Sequence, residues 1–241
     1  MGTVKIIAHR GDAAFFPENR TEAFESALRK GSFGLETDLH RTSDDKVVLN
    51  HDDTVDDGFG PTAIRGMNSE DFLNIKGALT FNTFLFRYQC PCNVDLKDKD
   101  PWLVDQVVRI IRKMKAGDRV IVSSFHHSNL KYFRRLFPDC DTSMSPREVV
   151  RFYIASKFNW RSNKPYPVKY MQVCENCGPL RIVSRSMIKY ARKRDVKVQV
   201  WTINDKKDMI RLINWGVDGI FTDNPGLLAE VLNEMGFNNE N

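Results

Sequence analysis

Residues 93–124, NVDLKDKDPWLVDQVVRIIRKMKAGDRVIVSS, decide the fold. The stretch 93–97 is strand-like, and Pro101 then opens a helix whose apolar positions Leu103, Val107, Ile110, Ile111 and Met114 fall at helical spacing before Gly117. The stretch 119–124 is a second strand, rich in β-branched residues. A strand, a helix and a strand in that order predict two parallel strands joined by a right-handed crossover.

The same alternation extends in both directions. Downstream, strands are expected at 141–144, 169–173, 196–202 and 219–222, with helices over 130–137, 146–158, 184–194, 206–215 and 225–235. Upstream, 4–8, 35–39 and 47–50 read as strands. Of these nine candidates a (β/α)₈ barrel needs one fewer, so one is a turn or an arm of a hairpin through Ser43, Asp44 and Asp45. The 241 residues match the roughly 250 of one such barrel. We therefore expect an α/β chain, a single (β/α)₈ TIM-type barrel over 1–241. Segment 52–92 breaks the rhythm with Gly58, Gly60, Pro61, Gly66 and Gly77. One helix is expected there near 69–75, capped by Ser69. The segment reads as a small insertion after the third strand, either a lid on the face where barrel enzymes keep their chemistry or a passive excursion there.

Candidate chemistry gathers at strand ends. His9 follows the first apolar run and His51 the third. A period of two puts Glu36 and Asp38 on one face of the second strand, and Asp95 with Lys97 on one face of a later strand. Glu36, Asp38 and Asp95 together make a hard oxygen site suited to one divalent metal ion, Mg²⁺ or Ca²⁺, with Mn²⁺ also possible. Two imidazoles beside a cation site are the parts needed to cleave an anionic ester. Trp201 and Phe125, at the ends of later strands, are candidate substrate-lining residues. His126 and His127 read as solvated or capping.

Composition narrows the partners. A net charge of +5 is spread along helix faces such as Arg109, Arg112, Lys113 and Lys115, the pattern of solvated helices that also attracts anionic substrates or lipid head groups. With no arginine-rich tail and no interleaved aromatic platform, nucleic acid is not an expected partner. No apolar run approaches the ~20 residues needed to span a bilayer, so no integral membrane segment and a cytoplasmic location are expected. Five cysteines argue against a disulfide framework. Cys90 and Cys92 are spaced too closely for a usual zinc pair with Cys174 and Cys177, so reduced thiols are expected.

His9-Arg10-Gly11, Pro17-Glu18-Asn19, Glu36-x-Asp38, Thr42, Asp44 and His51-Asp52 closely resemble the glycerophosphodiester phosphodiesterases. The resemblance runs on through Asp95-Leu96-Lys97, Ser123-Ser124-Phe125, Val200-Trp201-Thr202-Ile203-Asn204 and the run from Asp218 to Pro225. It implies a TIM-type barrel, a divalent metal and hydrolysis of a small-molecule glycerophosphodiester to an alcohol and sn-glycerol 3-phosphate. By the same resemblance Glu36, Asp38 and Asp95 are metal ligands, His51 the base and His9 the acid, and Arg10 and Lys97 contact the phosphate. A lysophospholipase D or sphingomyelinase-D-like activity on lipid substrates is the alternative, and it needs an apolar channel. Two positions depart from the family: Asp95 stands where glutamate is usual, and Arg20 where threonine is usual. Asn19 or Thr21 is then expected to cap the helix carrying Ala23, Phe24, Ala27 and Leu28.

Overall fold

A computed structural model describes residues 4–56, 58, 60–158, 166–178 and 180–237. Eight strands build the barrel: β1 (Lys5–Ala8), β2 (Gly34–Arg41), β3 (Cys92–Leu96), β4 (Val120–Ser123), β5 (Asp141–Thr142), β6 (Tyr170–Cys174), β7 (Lys197–Trp201) and β8 (Gly219–Thr222). Each pairs in parallel with the next from β1 to β5 and from β6 to β8, and β8 pairs with β1. A parallel bridge between Ser143 and Tyr170 brings the β5 and β6 edges together, so the barrel is near-closed.

The helices Thr21–Arg29, Pro101–Lys113, His127–Leu136, Pro146–Lys157, Arg185–Arg192, Lys206–Trp215 and Pro225–Glu234 surround it. Residues 93–124 fold as read, with Asp100 capping the helix by accepting from the Trp102 N–H and Pro101 in the first turn. Apolar side chains from strands and helices form two large clusters, one around Phe24, Phe84 and Phe133, the other around Phe152, Met171 and Leu212.

The ninth strand candidate, Val47–Leu49, is the antiparallel arm of a hairpin with β2 and lies outside the barrel. Its turn is closed by Thr42, whose hydroxyl donates to Asp44 Oδ1 at 2.7 Å. The segment that follows is more ordered than its composition suggests. Thr54–Asp56 pairs with Pro61–Ala63, and the helices Ser69–Leu73 and Phe81–Arg87 follow. Asn68, not Ser69, caps the first of these helices, accepting from the Asp71 N–H at 2.9 Å. Ser69 instead donates through its hydroxyl and N–H to Asp44, at 2.6 and 2.8 Å, tying the segment to the hairpin turn. Val48, Val55, Ile64, Met67 and Phe72 give the segment a small core of its own.

A cavity of about 730 Å³ opens at the opposite, N-terminal mouth, lined by residues including Lys5, Gly34, Asn93, Val120, Tyr170 and Gln199. It lies at the wrong end of the strands for barrel chemistry. Among the described residues no helix is long and apolar enough to cross a membrane.

Candidate active site

The candidate residues converge at the C-terminal mouth because β1, β2 and β3 are neighbours. Asp38 on β2 is the register partner of Asp95 on β3, which in turn partners Ser123 on β4. Register partners on adjacent strands share a face, so these side chains form a row across three strands. Ser123 donates to Asp95 Oδ1 at 3.0 Å. The Lys97 ammonium lies 2.9 Å from Asp38 Oδ1 and 3.2 Å from Asp95 Oδ2.

β1 delivers His9 and Arg10 to the edge of this row. Arg10 and Gly11 both take positive φ, +56° and +91°. A Cβ on Gly11 would stand 2.7 Å from Ala23, so the turn requires glycine. The turn aims the Arg10 N–H at Glu36 Oε2 (3.0 Å) and the guanidinium at Glu18 (2.8 Å) and Asp38 (3.3 Å). Asn19 completes the hold on Asp38, donating to its Oδ2 at 3.0 Å while accepting from the Thr37 hydroxyl at 2.7 Å.

Glu36, Asp38 and Asp95 are all buried, which excludes a solvated edge strand as the reason for the alternating acids on β2. Burial, and then the charges of Asp38 and Asp95, push the Glu36 carboxyl well above the usual carboxylate range. Burial disfavours charge on Lys97 and Arg10 too, but the surrounding carboxylates outweigh it and hold both above their ordinary values. Three buried acids offering only oxygen match the donor chemistry of a hard divalent cation, and the repulsion felt by Glu36 is what such a charge relieves. In this arrangement the Lys97 ammonium supplies positive charge between Asp38 and Asp95. Among the described residues no three His, Cys, Asp or Glu side chains stand in a ready-made metal-holding array.

Each candidate histidine is held by a carboxylate. His9 Nδ1 lies 2.7 Å from Asp223 Oδ1, just past the end of β8, and Asn204 donates to Asp223 Oδ2 at 2.6 Å. Burial works against the Asp223 charge, but the bonds from His9 and Asn204 leave its carboxyl below the usual range. His51 Nδ1 lies 2.7 Å from the exposed Asp52. The His51 backbone is anchored through its carbonyl, 3.1 Å from His40 Nε2, and His40 Nδ1 pairs with Asp98 at 2.8 Å.

Asp223, Asn204, His40 and Asp98 carried no assigned role in the sequence reading. For Asp223 and Asn204 the signal was present, since both lie past strand ends at the same mouth. The helix Thr21–Arg29 departs from expectation, because neither Asn19 nor Thr21 caps it. Arg20 occupies the N-cap position without a capping side-chain bond. Asn19 is committed to Asp38, and the Thr21 hydroxyl donates to the Gly77 carbonyl. The Arg20 guanidinium is buried and donates to the carbonyls of Asn19 and Leu49 and to Asn50 Oδ1, clamping the hairpin arm against the loop after β1.

Phe125 and Trp201, past β4 and at the end of β7, meet edge to face with ring centroids 6.2 Å apart, and Phe125 is 63% exposed. His127 Nδ1 lies 2.8 Å from the Ser145 hydroxyl, and His126 occupies the N-cap of its helix without a side-chain capping bond. Cys90, Cys92 and Cys140 are unbridged, and the side chain of Cys177 lies outside the described residues.

A family model described as the glycerophosphoryl diester phosphodiesterase family matches residues 9–92 and 91–227. A glycerophosphodiester phosphodiesterase of Caldanaerobacter subterraneus is 27% identical, over 96% of this chain and 98% of the relative. Among solved structures, a putative glycerophosphoryl diester phosphodiesterase from Silicibacter pomeroyi superposes with a TM-score of 0.80 at 21% identity, covering 98% of this chain and 95% of that one. An Oleispira antarctica phosphodiesterase in complex with the product sn-glycerol-3-phosphate superposes with a TM-score of 0.77 at 18% identity, covering 95% and 98%.

Proposed function

The chain belongs to the glycerophosphoryl diester phosphodiesterase family, and we propose that it hydrolyses small glycerophosphodiesters to an alcohol and sn-glycerol 3-phosphate by histidine acid–base catalysis that depends on a divalent metal. What carries this reading is the convergence of Arg10 and Lys97 on Asp38, at 3.3 and 2.9 Å, together with two histidines each engaged at Nδ1 by a carboxylate. Nδ1 engagement assigns proton exchange to Nε2 on both rings. In this scheme Arg10 and Lys97 bind the phosphate oxygens and offset the charge that builds on them. His51 takes the proton from the attacking oxygen, either water or a neighbouring substrate hydroxyl whose cyclic phosphate water then opens, and His9 returns one to the departing alcohol. Asp223 and Asp52 stabilise the imidazolium forms. Glu36, Asp38 and Asp95 would hold Mg²⁺ or Ca²⁺, which when bound supplies Lewis-acid polarisation of the phosphoryl group. Segment 52–92, tied to the hairpin turn through Ser69 and Asp44, would serve as the lid over this mouth.

The test is release of glycerol 3-phosphate from glycerophosphocholine with Mg²⁺ or Ca²⁺, with a chelator, and with His51→Ala. Both treatments abolish release if the scheme holds, and turnover indifferent to either overturns it. The pairing of exposed Phe125 with half-buried Trp201 favours a second reading, lysophospholipase D action on a lipid whose acyl chain lies against these rings. Activity on lysophosphatidylcholine but none on glycerophosphocholine decides for that reading.

A further inference from the structure

The helix Pro146–Lys157 is apolar on two sides. Phe152 packs into the barrel-side core with Val149, Tyr153 and Ala155 against it. On the outward side Val150, Ile154 and Phe158, spaced by four, are 57, 49 and 78% exposed. A helix of an isolated soluble protein keeps its outer face polar, and a second apolar stripe marks a contact surface. The charge around this stripe is of one sign. Arg147, Arg151 and Lys157 flank it, and the one acid of the helix, Glu148, is held by Arg134 at 2.6 Å. The helices on either side, His127–Leu136 and Arg185–Arg192, each carry three basic residues and neither an aspartate nor a glutamate.

We propose that the outward face of Pro146–Lys157 is a docking surface for anionic lipid bilayers. Val150, Ile154 and Phe158 enter the head-group region while Arg147, Arg151 and Lys157 meet lipid phosphates, the division of labour of an interfacial amphipathic helix. Polyanions without an apolar phase, such as RNA, use the basic residues and leave the stripe in water. A second copy of this chain covers the stripe but brings its basic residues against each other. A bilayer satisfies both halves of the face. The surface lies outside the catalytic residues, so the proposal stands whichever diester the barrel cleaves.

The experiment is co-sedimentation of the full chain with sucrose-loaded vesicles of phosphatidylcholine alone or with added phosphatidylglycerol, at low and high salt. The variants are Val150→Ser/Ile154→Ser and Arg147→Glu/Arg151→Glu, with circular dichroism and thermal melts as folding controls. Binding is expected to anionic vesicles only. It should weaken with salt and fall roughly tenfold or more on charge reversal, since basic residues near such a surface supply the attraction. The serine pair is expected to lose binding that persists at high salt. Binding that is absent, that does not distinguish the two lipids, or that survives both variant pairs overturns the proposal. So does dimerisation lost in the serine pair when no vesicle binding is present, or RNA binding that displaces the vesicles and survives the serine pair.

Discussion

Asp38 and Asp95 are register partners on adjacent parallel strands, and a single ammonium, Lys97 Nζ, lies 2.9 Å from one and 3.2 Å from the other. Two buried acids side by side need positive charge, and the Lys97 side chain supplies it in the arrangement described. The short Asp95 arm is tied back to Ser123 as well as to Lys97. Restoring the longer side chain with Asp95→Glu is therefore expected to extend the carboxylate beyond Ser123. It should lower, by several-fold, the Mg²⁺ concentration that gives half-maximal hydrolysis. Metal titration of the two proteins checks this, and an unchanged midpoint rejects it.

Lys97→Met removes the same ammonium and, in the proposed scheme, a phosphate contact. A loss of roughly 10²-fold or more in kcat/KM is expected, the usual size for one preorganised electrostatic group. Steady-state kinetics on glycerophosphocholine read it directly. A change confined to stability, with kcat/KM of the folded fraction intact, would restrict Lys97 to a structural role.

His9 depends on Asp223 for its orientation, and Asp223 on Asn204. Asp223→Asn keeps the shape of the pair but removes the charge that stabilises a protonated ring. A fall in kcat of roughly 10²- to 10⁴-fold with a small change in KM is expected. Asn204→Ala should cost less, since it loosens Asp223 without neutralising it. The kcat and KM of both variants settle the order, and a rise in KM alone would make Asp223 a binding residue.

The alternation that declared the barrel was legible because seven helices carry periodic apolar faces and the strands between them are rich in β-branched residues. The acids on β2 and β3 were legible through period two, since strand geometry alone fixes which residues share a face. The antiparallel arm Val47–Leu49 was ambiguous, because a short apolar run reads alike in a barrel strand and in a hairpin. The helix Phe81–Arg87 escaped notice because its run FNTFLFR is aromatic, and its cap, Thr80, is an ordinary loop residue until tertiary contacts select it. Links such as Asp223 to His9, 214 residues apart in sequence, are produced by barrel closure and leave no local periodic trace.

The thiols differ in burial and in charge. Cys140 is buried, and burial pushes its thiol up to about 12. Cys90 is half-buried, and its hydrogen bond with Cys92, followed by backbone contacts and the charge of Arg119 acting against burial, draws its thiol below the ordinary value, while Cys92 is pushed well above. Because the thiolate is the nucleophile, iodoacetamide near pH 8 should alkylate Cys90 well before Cys92 and Cys140. Peptide mass spectrometry over a labelling time course reports the order. Labelling of Cys140 first would contradict it.

The His40–Asp98 pair predicts a pH window for stability. For His40 burial opposes the charge, but the hydrogen bond and charge of Asp98 prevail and raise its pKa. For Asp98 burial also opposes the charge, and the bonds from His40 and the Arg41 N–H lower its pKa. A raised histidine contributes fully below its unfolded value of about 6.5, and loses that contribution as pH rises through the folded value. A lowered aspartate contributes above its unfolded value of about 3.9, and loses that contribution as pH falls through the folded value. The charged pair therefore contributes most between about pH 4 and about pH 6.5. Asp98→Asn should cost about 1.5–3 kcal/mol there, the range for a hydrogen bond to a charged group. The cost should shrink as pH rises through the folded pKa of His40. Urea unfolding of both proteins at pH 5.5 and pH 8.5 tests this, and an equal difference at the two pH values would show that the pair contributes as a neutral hydrogen bond.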